Sequence, residues 1–184
     1  IQNFEDNRYG SGVVPEAIFE LSEHRLIARN NELGFEAKDL RALCSIGRST
    51  KQAKHGYIGQ KGIGFKSVFT ITDEPHIFSN GLAFKFSKRP LDQIPLGYIV
   101  PYRLKDTHQA MEVLGGDPKS LHSGKLPYLR FTNLMFPLAG PEEAKGSKLP
   151  AYREVQAEIE ALPAYVILLL RKLQRIRFNL PEGK

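Results

Sequence analysis

The chain has 184 residues, 41% of them apolar and 25% charged, which is enough for one sizeable core and short of what two full domains usually need. Its longest apolar run, Ala164–Leu170, falls far below the roughly 20 residues that cross a bilayer, so a membrane-spanning protein is not expected. A single cysteine, Cys44, leaves no internal disulfide and no cysteine-based metal site. The histidines, His24, His55, His76, His108 and His122, lack the paired spacing of a helical zinc site.

That cysteine usage fits an intracellular setting, cytoplasmic or nuclear. The net charge of +6 is spread along the chain with no run of five Lys/Arg, a weak signal for nucleic acid. Local charge is more informative. No acidic residue lies between Asp39 and Asp73, whereas Arg48, Lys51, Lys54, Lys61 and Lys66 all do, so an anion would be welcome there; an ordinary solvated basic loop would look the same.

In chain order, residues 1–7 read as a helix ending near Asn7, and "RYGSGVVP" as a turn-rich loop closed by Pro15. Two apolar and β-branched stretches, Ala17–Leu21 and Leu26–Ala28, predict a hairpin. Ala37, Leu40, Leu43 and Cys44 fall at helical spacing and stop before Gly47. Residues 47–61 form a long basic connection of the kind that serves as a lid or binding loop, and residues 63–69 read as helix.

"PHIFSN" and "LAFKFS" meet at Asn80-Gly81, a dipeptide that supplies the positive φ angles of a tight primed hairpin turn. Residues 89–124 read as an irregular insert with one strand at Tyr98–Leu104 and one short helix. "PYLRFTNLMFPL" is strand-like. Val155, Ile159, Leu162 and Val166 predict a helix kinked or split at Pro163, and "IRFNL" closes the chain as a strand. The sum is an α+β fold with a mostly antiparallel sheet and helices on one face.

Three short stretches carry chemistry. "GYIGQKGIGFKSVF" has Gly56, Gly59, Gly62 and Gly64 followed by a helix, so bare backbone N–H groups and a helix N-terminus could cradle a phosphate chain; a turn serving only chain reversal is the alternative. It matches neither a Walker loop nor a dinucleotide fingerprint. "NNELGF", at a strand-to-helix junction, offers polar side chains and a glycine that could meet a base, or could be a plain turn. "IQNFEDN" puts Asn3, Asp6 and Asn7 on one helix face, where they could hold a hydrated metal ion or merely face solvent.

Taken together in this order, Ile1–Asn7, Asn30–Phe35, Cys44–Lys51 and Gly56–Phe69 resemble the GHKL ATPase superfamily, in its sacsin-like and NO VEIN-like branch. The resemblance is strong over about the first 85 residues and continues through "TNLMFPL" and "LLLRKLQRIRF". It implies a Bergerat-type α/β sandwich with a flexible lid over ATP and Mg²⁺, spanning residues 1–184 as a single domain that lacks the start of its first helix.

On that resemblance Asn3 would bind Mg²⁺ with Asp6 and Asn7 beside it. Asn30 would meet the adenine amine, and Gly34 would make room for the ring. Ser49, Thr50 and Lys51 would belong to the lid; Gly59, Gln60, Gly62, Ile63, Gly64 and Phe65 would wrap the phosphates; and Thr132 would reach the adenine from its strand.

Most of the superfamily has aspartate at the position of Asn30. An amide can accept and, if flipped, donate, so weaker discrimination of ATP from GTP is expected. The superfamily's general base, a glutamate one turn before the Mg²⁺-binding asparagine, would fall ahead of Ile1. No catalytic residue is therefore expected within the chain, and binding should exceed turnover. The output would be a chaperone-like or scaffold switch acting on a protein client or partner domains of a longer chain. A non-hydrolysing nucleotide-binding regulatory module and a basic nucleic-acid-binding domain are the alternatives.

Overall fold

The computed structural model describes residues 1–44, 63–89, 100–104, 132–140 and 149–181. After a one-turn helix, α1 (Gln2–Glu5), come the hairpin β1 (Glu16–Ser22) and β2 (Arg25–Asn30), then α2 (Ala37–Cys44). Asp39 reaches back to accept the Glu36 backbone N–H at 2.9 Å, half of a capping box, which fixes where α2 begins. The helix predicted over residues 63–69 is split into α3 (Ile63–Lys66) and a 3₁₀ turn, Ser67–Thr70.

The hairpin β3 (His76–Ser79) and β4 (Leu82–Lys85) turns at Asn80 and Gly81, whose φ angles of 47° and 76° are those its sequence demands. Within the predicted strand at 98–104, the described part contains β5 (Tyr102–Arg103). The strand-like run at 127–138 contributes β6 (Thr132–Pro137). Pro163 splits the last helical stretch, as expected, into α4 (Tyr152–Glu160) and a 3₁₀ segment, Ala164–Leu169. The chain then enters β7 (Arg175–Asn179).

The sheet is mixed and seven-stranded, in the order β5-β4-β3-β6-β2-β1-β7, antiparallel except where β7 runs parallel to β1. Strand alternation divides it into two unlike faces. One face carries Ala17, Leu21, Leu26, Ala28, Ile77, Phe84, Leu134 and Phe136 and packs in a single cluster with Phe4 of α1, Phe65 of α3 and Val155 of α4. The other has only a small apolar patch, Ile27, Phe78 and Met135, among charged side chains.

On that second face, acids partner the bases. Arg29 pairs with Glu20 at 2.7 Å, Lys85 with Glu74 at 3.0 Å, and Arg177 with Glu16 at 2.7 Å. The helices thus sit on one side, and the α+β expectation holds at that level.

Candidate functional site

Along the helix-packed face, hydrocarbon gives way to polar groups at one end. In β2 the inward positions run Leu26, Ala28, Asn30; in β6 they run Phe136, Leu134, Thr132; in β3, Ile77 is followed by Ser79. Asn30 and Thr132 are register partners, and the Phe78–Asn133 pairing sets Ser79 next to Thr132. Asn30 and Thr132 are each 1% exposed and Ser79 is fully buried. Buried polar groups cost stability unless hydrogen-bonded, and these are bonded into networks.

One network links the sheet to the N-terminal segment. Asn30 Nδ2 donates to Tyr9 Oη at 2.8 Å and to the Glu16 carbonyl at 2.9 Å; Tyr9 Oη in turn donates to the Phe4 carbonyl at 2.7 Å. Asn7 Nδ2 donates to Asn30 Oδ1 at 3.4 Å. Because Tyr9 and Glu16 both need a donor from this side chain, the Asn30 amide is held in one orientation, and a flip to suit guanine would break two hydrogen bonds. Burial pushes the Tyr9 phenol up to about 12, so it stays neutral.

The other network has a direction. The Phe35 backbone N–H can only donate, and Ser79 Oγ accepts from it at 2.8 Å. Ser79 and Thr132 share a hydrogen bond at 2.6 Å, and Thr132 Oγ1 donates to Glu32 Oε1. The chain therefore runs Phe35 N–H to Ser79 to Thr132 to Glu32, ending on a carboxyl that is only 7% exposed.

Burial pushes the Glu32 carboxyl up to about 7; the Asp39 charge adds to that, while Thr132 and Arg8 act against it. Gly34, between Glu32 and Phe35 in sequence, has φ 86°, a left-handed conformation that a side chain would strain. The Leu33 N–H bonds to the Arg8 carbonyl at 2.9 Å, so this turn is clamped to the segment after α1.

Of the residues singled out in the sequence, Asn7, Asn30, Gly34 and Thr132 are thus brought to one end of the sheet. Asn3 and Asp6 lie exposed on or just beyond α1 at the same corner. Phe65 turns its ring into the core, 5.6 Å from that of Phe86, so anything it offers a phosphate comes from its backbone. Ile63 and Gly64 lie in α3. Ser49, Thr50, Lys51, Gly59, Gln60 and Gly62 lie outside the described residues.

Sequence reasoning missed Glu32, Ser79 and Tyr9. The available signal was a serine at an inward position of β3 and a glutamate two residues past the end of β2. Glu5 is committed elsewhere: its carboxylate accepts the backbone N–H groups of Arg171, Lys172 and Leu173 at 2.7 to 3.1 Å.

Among the described residues no cluster of three His, Cys, Asp or Glu could hold a metal. A groove of about 390 Å³ lies at the opposite end of the helix-packed face, between α4 and β1/β7, and none of the polar residues named above lines it. No helix among the described residues is long and apolar enough to cross a membrane.

Residues 5–86 match the family model of the sacsin domain. The chain is also 35% identical over 179 residues to protein NO VEIN of Arabidopsis thaliana, an alignment that covers 97% of this chain and 6% of that protein. Both similarities support a place in the sacsin-like and NO VEIN-like branch. The chain spans only that small fraction of the relative's length.

Proposed function

We propose that this chain is the nucleotide-binding domain of a GHKL-type ATPase and takes Mg-ATP at the polar end of the helix-packed face. One observation carries the reading: buried Asn30, Ser79 and Thr132 sit together where strand alternation calls for hydrocarbon, and the buried Glu32 carboxyl joins them from the turn after β2. Asn30 serves as the brace that ties β2 to Tyr9 and α1. Glu32 and Thr132 are the groups that meet the base edge, and Gly34 lets the backbone come close to the ring.

The glycine-rich segment leads into α3, whose Phe65 anchors in the same core as Phe4 of α1, and this supports a phosphate site on that side of the sheet. For Mg²⁺ the protein offers the exposed Asn3 amide and Asp6 carboxylate. That donor set suits an ion carried on phosphates with most of its waters retained. When bound, the ion would screen the triphosphate charge. Glu5 is not free to activate water, so hydrolysis would need a different general base.

A basic nucleic-acid surface is disfavoured because Arg29, Lys85, Arg175 and Arg177 on the open face are paired with Glu20, Glu74 and Glu16. The non-hydrolysing regulatory module differs from the leading reading only in turnover, which single-turnover hydrolysis measures. Calorimetric titration of Mg-ATP into the full-length chain is expected to give one saturable site, weakened about tenfold by Thr132→Val. No binding in a folded chain would refute the proposal.

A further inference from the structure

We infer that Glu32 chooses the purine and does so as a proton switch: ionised, its carboxylate accepts from the exocyclic amine of adenine, and protonated, it donates to the carbonyl oxygen of guanine. This rests on the nucleotide-site reading above, and its test separates the two.

The argument begins with the direction of the hydrogen-bond chain. Because the single hydrogen of the Thr132 hydroxyl goes to Glu32 Oε1, Thr132 can only accept from Ser79, so Ser79, itself accepting from the Phe35 N–H, is the donor in the bond they share. While Thr132 donates to it, Oε1 stays an acceptor, and reversing the chain would take from the Ser79 hydrogen the partner it has in Thr132. A proton taken up by Glu32 from solvent therefore resides on Oε2, leaving that oxygen to present either a lone pair or an O–H. Asn30 cannot supply the donor that guanine needs, since both hydrogens of its amide are committed to Tyr9 and Glu16.

The surroundings leave the two states closely balanced. Glu32 is the one buried carboxyl among the described residues and makes no ion pair among them. The groups facing it are Arg8 and Tyr9 from the segment after α1, Asp39 from α2, Thr132 from β6 and Ser79 from β3. Arg8, the cation in that set, is half exposed and pairs instead with Glu36 at 3.0 Å, with Asp39 at 3.8 Å. Burial disfavours the charged form, and the Thr132 hydroxyl partly restores it. The carboxyl accordingly titrates in the neutral range.

The experiment measures Mg-ATP and Mg-GTP affinities side by side with the full-length chain between about pH 6 and about pH 8, a range that brackets the change. The two ligands share a triphosphate, so its own protonation cancels in their ratio. The ATP-to-GTP preference is expected to rise about tenfold across the range, the worth of one hydrogen bond to a charged partner gained against one lost. Near neutrality ATP should release a proton on binding and GTP should take one up, which shows as opposite buffer dependence of the binding heat.

Glu32→Gln, able both to accept and to donate at any pH, should flatten the ratio. Thr132→Val, which removes the donor that favours the ionised form, should move the crossover to higher pH. Both nucleotides binding with a pH-independent ratio in the wild type would overturn this inference and leave the nucleotide site standing. Neither binding at any pH would overturn both.

Discussion

Two desolvated titratable groups, one toward each face of the same sheet, have been treated in opposite ways. Glu32, at the polar end of the helix-packed face, ends a hydrogen-bond chain through Thr132 and Ser79 to a backbone amide. His76, on the other face at the start of β3, has both ring nitrogens buried with no hydrogen-bond partner among the described residues. Burial pushes Glu32 up from 4.5 to about 7. Burial, reinforced by the Lys85 charge and opposed by Glu74, pushes His76 down from 6.5 to about 4. The shifts are alike in size, yet only Glu32 is held in a fixed geometry by other residues. Desolvation alone does not mark a functional group; a directed set of partners around it does.

The largest effect tests the brace on which the Glu32 side depends. Asn30→Asp removes both amide donors and sets a carboxylate against the Glu16 carbonyl in a fully enclosed position, so it should cost about 3 kcal/mol or more in urea unfolding. An unchanged midpoint would mean that the Asn30 amide does not bind Tyr9 and Glu16 as described.

The next pair sharpens the comparison through pH. Glu32 is an acid with a raised pKa: between about 4.5 and about 7 the folded state holds a proton that the unfolded chain has lost, so stability falls as pH rises through that window. His76 is a base with a lowered pKa: between about 6.5 and about 4 the unfolded chain gains a proton that the folded state refuses, so stability falls as pH drops. In the wild type the two slopes nearly cancel.

Glu32→Gln should unmask the His76 slope and raise stability by on the order of 2 kcal/mol near pH 8. His76→Leu should unmask the Glu32 slope and, by removing two unsatisfied nitrogens, stabilise by about 1 to 2 kcal/mol near pH 5. Urea midpoints at a series of pH values check both. A flat profile in either variant would show that its partner is not titrating where burial places it.

What the sequence could reveal tracks how local the cause is. The Asn80-Gly81 hairpin was legible because two adjacent residues dictate their own φ angles. The split at Pro163 was legible because a ring without an N–H breaks a helix wherever it sits. The parallel pairing of β7 with β1 was not, since hairpin logic between neighbours says nothing about a strand that returns after α4. At the site, the position of Asn30 was visible at a strand end, but not that its amide would be taken up by Tyr9 and Glu16, 21 and 14 residues away. Glu32 escaped notice for the same reason on a longer scale: Thr132, which makes it informative, is 100 residues away, and Ser79 lies a further link along, 53 residues from Thr132.

The smallest expected effect concerns Glu5, an acid held in place by fixed donors but largely open to solvent. Burial pushes its carboxyl up, yet the backbone N–H groups of Leu173, Arg171 and Lys172, with the Lys172 charge, bring the net below the usual range. A lowered acid contributes stability that is present above its unfolded pKa and lost as pH falls. Glu5→Gln keeps one acceptor oxygen and loses the charge, so solvent screening limits the cost to about 1 kcal/mol.

The loss should appear as faster hydrogen exchange at residues 171–173, because those amides have lost their charged acceptor while the core has not changed. Nucleotide affinity should stay as it was, and so should single-turnover hydrolysis in the full-length chain. Hydrolysis abolished with affinity intact would identify Glu5 as the general base after all, and its clasp on the segment before β7 would then have to open during turnover.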